Sequence, residues 1–227
     1  MHTQTESHAQ LDWVNMLEQE GRALVEALDA HPEARRLFEG SIDLDGYAHY
    51  LTQTYHYVQW SRPLLAGAGE RLERIGQHPQ LAELLVRKAA EESGHERWLL
   101  ADLKNLGWSE ERVNAAEHAP AIDAYTGWNF FTCRAGVPTA FLGTAYVLEY
   151  LSVTRASGAV ERLLLADTIP NIRKAVTFLR SHGTVDGDHV AELTSVLRTL
   201  TDPEDRAAVL LSARITRALY PGFFRER

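Results

Sequence analysis

The chain has 227 residues, 45% hydrophobic and 24% charged, which is enough apolar side chain for one sizeable core. Its 31 Asp and Glu against 23 Lys and Arg leave a formal charge of −8, and no compact Lys/Arg run offsets it, which excludes a generic nucleic-acid binder. The single cysteine, Cys133, excludes an intrachain disulfide and a cysteine-rich zinc site, and it suits a reducing cytoplasm, the expected location.

The opening "MHTQTESHAQ" is polar and has no apolar signal core, so residues 1–10 are expected to form a flexible tail ahead of one domain over 11–227. "LDWVNMLEQEGRALVEAL" places Leu11, Val14, Leu17, Leu24 and Leu28 on one broad apolar helix face, and "HPEARRLF" starts a short second helix with proline in its first turn. From Asp45 into the seventies a further helical stretch carries Pro63, which should kink or break it. A long helix is expected from about Pro79 to Asn105, closed by Gly107, and Ser109 should cap a brief helix with an acidic first turn. The second half predicts helices near 121–133, 137–156, 159–182 with an interruption at Pro170, and 186–200. A last helix follows "TDPED", with Thr201 or Asp202 as its cap. Helical periodicity without strand alternation, repeats or linkers makes this an all-α, single-domain protein. "VPTAFLGTAYVLEYLSV" is marginal in length for a membrane span and carries a carboxylate, so no membrane association is expected.

That carboxylate, Glu149, is the only charged residue between Arg134 and Arg155. Buried and ionised, it would cost several kcal/mol unless paired, hydrogen-bonded or bound to a metal. In "RKAAEESGHERWLLADL", Glu92 precedes His95 by three residues and Glu91 precedes it by four, so either carboxylate can share a helix face with the imidazole. This is the Glu-x-x-His arrangement of carboxylate-bridged dimetal helices, although charged pairs at this spacing commonly do no more than face water. In "HGTVDGDH", His182, Asp186 and His189 fall on one helical stripe, but Gly183 and Gly187 each lower helix propensity by roughly 1 kcal/mol, so a partly unwound or loop conformation competes. Together the clusters provide three imidazoles and three or four carboxylates on three segments. Nitrogen and oxygen donors without thiolate suit non-haem iron or manganese, which makes a dimetal core the leading reading of the residues.

"EESGH" in a central helix, a lone Glu149 in a later apolar helix and "HGTVDGDH" about thirty residues beyond it resemble the haem-oxygenase-like diiron oxidases, relatives of the TenA and pyrroloquinoline-quinone-synthase proteins. The resemblance covers residues from about 11 to 220. It implies a haem-oxygenase-like bundle of about seven principal helices holding two Fe(II) ions, with Mn or a mixed Fe/Mn pair as variants, and O2 as co-substrate. By that resemblance the metal ligands are Glu92, His95, Glu149, His182, Asp186 and His189, with Glu91 an alternative to Glu92 and His56 a further residue that could face the same cavity. A core histidine between Tyr55 and Tyr57 is the competing reading of His56.

The resemblance implies oxidation of a small organic acid or amino-acid-derived substrate by desaturation, C–C cleavage or N-oxygenation. No substrate-binding residue is assigned. Lys88 and Arg134 are cations available to a substrate carboxylate, and Trp128, Phe130 and Phe131 are candidate pocket walls or simply core. Competing functions are a metal-independent enzyme like the quinone synthase, a TenA-like thiaminase for which Cys133 is the sole nucleophile, and a non-enzymatic helical interaction protein. Homodimerisation is compatible with the fold.

Overall fold

The computed structural model describes residues 2–225, with the side chains of 2–12 and 184–189 outside the described residues. The chain is built of helices: α1 (His2–Ala30), α2 (Pro32–Glu39), α3 (Leu44–Val58), α4 (Ser61–Ile75), α5 (Pro79–Glu91), α6 (His95–Asn105), α7 (Glu110–Asn114), α8 (Pro120–Arg134), α9 (Phe141–Ala166), α10 (Thr177–Leu197) and α11 (Pro203–Leu219). Short 3-10 turns occupy Pro138–Ala140, Ile172–Lys174 and Tyr220–Phe223, and there is no strand among the described residues. The backbone of α1 takes in residues 2–10, the stretch expected as a tail.

Local chemistry explains the boundaries. Asp43 Oδ1 accepts from the Gly46 amide at 2.7 Å to start α3, Ser109 caps α7 through the Arg112 amide, and Asp202 caps α11 through the Glu204 amide. Pro63 sits in the first turn of α4, where a missing N–H costs nothing, so the break falls ahead of it at Gln59–Trp60. Gly107, with φ 94°, lies just beyond α6, as expected.

Two expectations are corrected. The helix expected from 79 to 105 is broken, because Gly94 adopts φ 96°, a left-handed conformation open to glycine at little cost, and the chain turns between Glu91 and His95. Conversely, the break expected between 156 and 159 is absent, since α9 continues to Ala166, and α10 runs unbroken through the two glycines of "HGTVDGDH". Gly183 is tolerated because it lets two helices touch: a Cβ there would stand 2.9 Å from the Ser157 backbone nitrogen of α9, and its carbonyl accepts the Ser157 hydroxyl at 2.9 Å.

α9 is the central helix, packed against α10, α11, α1 and α2, while α4 lies along α5 and α8, and α3 against α6. Leu142 and Val147 of α9, Leu197 of α10 and Val209 of α11 are buried in the shared core with Leu17, Leu24 and Leu28 of α1. No helix among the described residues is long and apolar enough to cross a membrane.

Candidate metal centre

α10 is held in place from its first turn. Asp102 of α6, fully buried, accepts the Phe178 amide at 2.9 Å, so a carboxylate from another helix caps the α10 N-terminus and favours its positive end. Burial raises the Asp102 carboxyl above its ordinary range, against the opposing pull of the Phe178 and Thr177 donors. Just upstream, the buried Tyr47 hydroxyl donates to the Ala175 carbonyl at 2.7 Å. One turn into α10, His182 Nδ1 lies 2.9 Å from the Phe178 carbonyl. A carbonyl only accepts, so Nδ1 carries the proton and the Nε2 lone pair is left for an electrophile. Burial lowers the His182 pKa, which favours the neutral ring a metal requires.

Glu92 and His95 reach the same place from the α5–α6 turn. Glu92 Oε2 stands 2.9 Å from His95 Nδ1, although the two are related by a turn and not by a helix face. This close approach lacks hydrogen-bond geometry, and Nδ1 is a buried polar atom with no hydrogen-bond partner among the described residues. The His95 ring is stacked on Trp98 at 4.3 Å and meets His182 edge-on at 5.0 Å. Each of Glu92, His95 and His182 offers a ligand atom within 4.8 Å of the others. A carboxylate, a buried imidazole nitrogen left unsatisfied and a second imidazole with its lone pair free form a donor set that fits a divalent cation.

Glu149 lines the same cavity as Glu92 and His182 and acts electrostatically on His182. The cavity has a volume of about 150 Å³, on the order of one that accepts a benzene-sized ligand. Its walls are mainly apolar and aromatic, with Tyr50, Tyr57, Tyr125 and Tyr220 among them. Burial keeps all four tyrosine hydroxyls protonated well beyond neutral pH. These tyrosines were missed in the sequence, where the seven-residue spacing of Tyr50 and Tyr57 on one face is the available sign.

The remaining candidates fall elsewhere. Asp186 and His189 lie on the helical backbone of α10, but their side chains are outside the described residues. Glu91 is turned to Lys88, with which it pairs at 2.9 Å, and Lys88 also pairs with Glu192 at 3.1 Å. His56 is buried against His118, with ring centroids 4.1 Å apart, and is not part of the cavity wall. Arg134 lies over Phe130 on a different surface, Trp128 donates to Ser212, and Phe131 is 54% exposed, so none of these aromatics lines the cavity. Cys133 is buried, donates to the Leu64 carbonyl, and has its thiol pushed up to about 11 by burial.

Comparison with known proteins identifies the fold and the family. The chain is similar to a solved domain of unknown function with a haem-oxygenase-like fold from Shewanella denitrificans, at 23% identity and TM-score 0.77 over 91% of this chain and 88% of that one. It is similar, at 16% identity and TM-score 0.77, to a TenA homologue from Pseudomonas syringae pv. tomato, over 94% of this chain and 89% of that one. No curated protein matches significantly. Residues 48–220 match the family model described as iron-containing redox enzyme. With its all-α fold and a Glu92–His95–His182 cluster, the chain belongs to the haem-oxygenase-like family of iron-containing redox enzymes.

Proposed function

We propose that the chain is an O2-dependent non-haem diiron oxidoreductase acting on a small organic acid or amino-acid-derived substrate. Its metal ligands on this reading are Glu92, His95, Glu149, His182, Asp186 and His189. The observation that carries the reading is the convergence of Glu92, His95 and His182, with the buried His95 Nδ1 left without a hydrogen-bond partner among the described residues. Iron, or manganese in its place, would supply electrons and open coordination positions for O2 reduction.

The chain's own residues have separate tasks. The Phe178 carbonyl fixes the His182 tautomer, and stacking on Trp98 fixes the plane of His95. Glu92 and Glu149 bring negative charge to the cation site. The aromatic walls exclude water from a substrate lying beside it, and the protonated hydroxyls of Tyr57 and Tyr125, which sense the charge of Glu92, offer hydrogen bonds that orient its polar end. Lys88 lines the cavity but is engaged by Glu91 and Glu192, so a substrate carboxylate would have to compete for it.

A TenA-like thiaminase is the second reading, supported by the likeness to a TenA homologue; its sole candidate nucleophile, Cys133, is buried with its thiol pushed up to about 11 and would need activation. Anaerobic Fe(II) titration of the metal-free protein, followed by O2, tests the proposal. Binding of about two irons per chain is expected, lost in His95→Ala and His182→Ala while helix content is retained. A well-folded protein that binds no iron stoichiometrically would move the assignment to a metal-independent, quinone-synthase-like enzyme or to a non-enzymatic protein.

A further inference from the structure

A second concavity, of about 780 Å³, opens on the other side of the α5–α6 turn, between α4, the end of α8 and the start of α6. Its charge is opposite to that of the molecule. Five arginines, Arg62, Arg71, Arg74, Arg97 and Arg134, line it against two carboxylates, Glu70 and Glu96, in a chain of net charge −8. Such a concentration of like charge is self-repulsive in the empty protein and is relieved by a counter-ion.

The guanidinium groups differ in how far they are already engaged. Arg71 is held rigidly by the Thr132 carbonyl at 2.9 Å and the Ala135 carbonyl at 3.3 Å. Arg134 lies over the Phe130 ring at 5.0 Å, and Arg97 makes only a long 3.8 Å contact with Glu96. Arg62 and Arg74 have no ion pair or hydrogen bond among the described residues. Gly94, also on the wall, begins α6 without a side-chain cap, so the positive end of that helix adds to the field. A Cβ placed at Gly67 or Gly94 would meet nothing within 4 Å, so this wall is open to a ligand.

We infer that this arginine-lined pocket binds a compact polyanion, a small molecule bearing two or more phosphate or carboxylate groups. Arg62 and Arg74 supply the planar forks, Arg71 a fixed one, and the α6 N-terminus adds its positive field, the His95 and Arg97 amides being already bonded to the Glu92 and Gly94 carbonyls. A concave pocket lined by arginines, four of them exposed and Arg71 half-buried, suits a small ligand better than the flat face of an acidic protein. Ser93 and Gly94 form its wall while Glu92 and His95, on either side of them in sequence, face the metal cluster, so an occupied pocket restrains the turn that presents those two residues.

The test is calorimetric titration of the full chain at low ionic strength with fructose 1,6-bisphosphate and, separately, tricarballylate, with amide exchange followed over residues 93–97. Saturable one-to-one binding is expected, weakened at least about tenfold by Arg62→Ala and by Arg74→Ala, with slower exchange in the turn when the probe is bound. Preference for the first probe identifies a phosphate ester as the natural ligand class, and preference for the second a polycarboxylate. Failure of both probes to bind, affinity in both variants unchanged from that of the parent, or unchanged exchange at 93–97 would overturn the assignment.

Discussion

His56 provides a sharp test of which buried histidines belong to the metal site. It is 2% exposed, its Nε2 has no hydrogen-bond partner among the described residues, and its ring lies 4.1 Å from that of His118. Burial, and then repulsion by a charged His118, lower its pKa from 6.5 to about 4. The unfolded chain therefore takes up this proton more readily than the folded one. Stability is complete above the unfolded value and declines as pH falls below about 6.5, the loss levelling off beneath about 4. At 1.36 kcal/mol per pH unit, the full interval corresponds to about 3 kcal/mol, of which about 2 kcal/mol is lost between pH 7 and pH 4.5. Replacing the ring by one that cannot titrate, in His56→Phe, should remove that part of the acid sensitivity. Urea unfolding of both proteins from pH 7 to 4.5 measures it, since contributions common to the two, including that of His182, cancel in the difference. Parallel stability curves would refute the buried-neutral account of His56. The same substitution should leave Fe(II) binding unchanged, because His56 is outside the cavity wall.

Gly183→Ala would set a Cβ 2.4 Å from Ser157 Oγ and 2.9 Å from its backbone nitrogen, and the serine backbone cannot move aside. An overpacking cost of about 1–3 kcal/mol is expected, lowering Tm by at least about 2 °C in a thermal unfolding scan, and an unchanged Tm would contradict the close α9–α10 contact. Cys133→Ala should leave oxygen uptake by the iron-loaded protein within about twofold of the parent, since a thiol held at about 11 is not a nucleophile at neutral pH. Loss of oxygen uptake without loss of fold would contradict the account of Cys133 as an inert buried thiol.

Much of the fold is legible in the sequence because it follows from short-range rules. The caps at Ser109 and Asp202 and the prolines opening α2 and α11 fall where local hydrogen bonding places them. The errors arise where glycine's role depends on what lies opposite. At Gly94 nothing lies within 4 Å of a would-be Cβ, and the residue takes its left-handed option and breaks the helix. At Gly183 another helix lies against it, the glycine permits that contact, and α10 continues. Intrinsic propensity is similar at the two positions, so tertiary contact decides. The Glu92–His95 proximity survives the break because a turn, like a helical step of three, returns the chain to nearly the same point.

The histidines make the same point at the level of chemistry. His56 and His182 both occupy helix interiors among aromatic residues, His56 fully and His182 partly withdrawn from water, and burial lowers the pKa of both. Their neighbours separate them. The largest charge effect on His56 comes from another imidazole, so the site gains nothing from holding a cation. His182 faces the charges of Glu92 and Glu149 as well as His95, and its Nδ1 is already committed to the Phe178 carbonyl. Carboxylates facing a neutral imidazole whose remaining nitrogen can only accept form a cavity that favours positive charge but has no proton of its own to place there. A divalent cation meets both conditions, and that complementarity, which requires knowing what three separate segments bring to one point, is absent from any one stretch of the sequence.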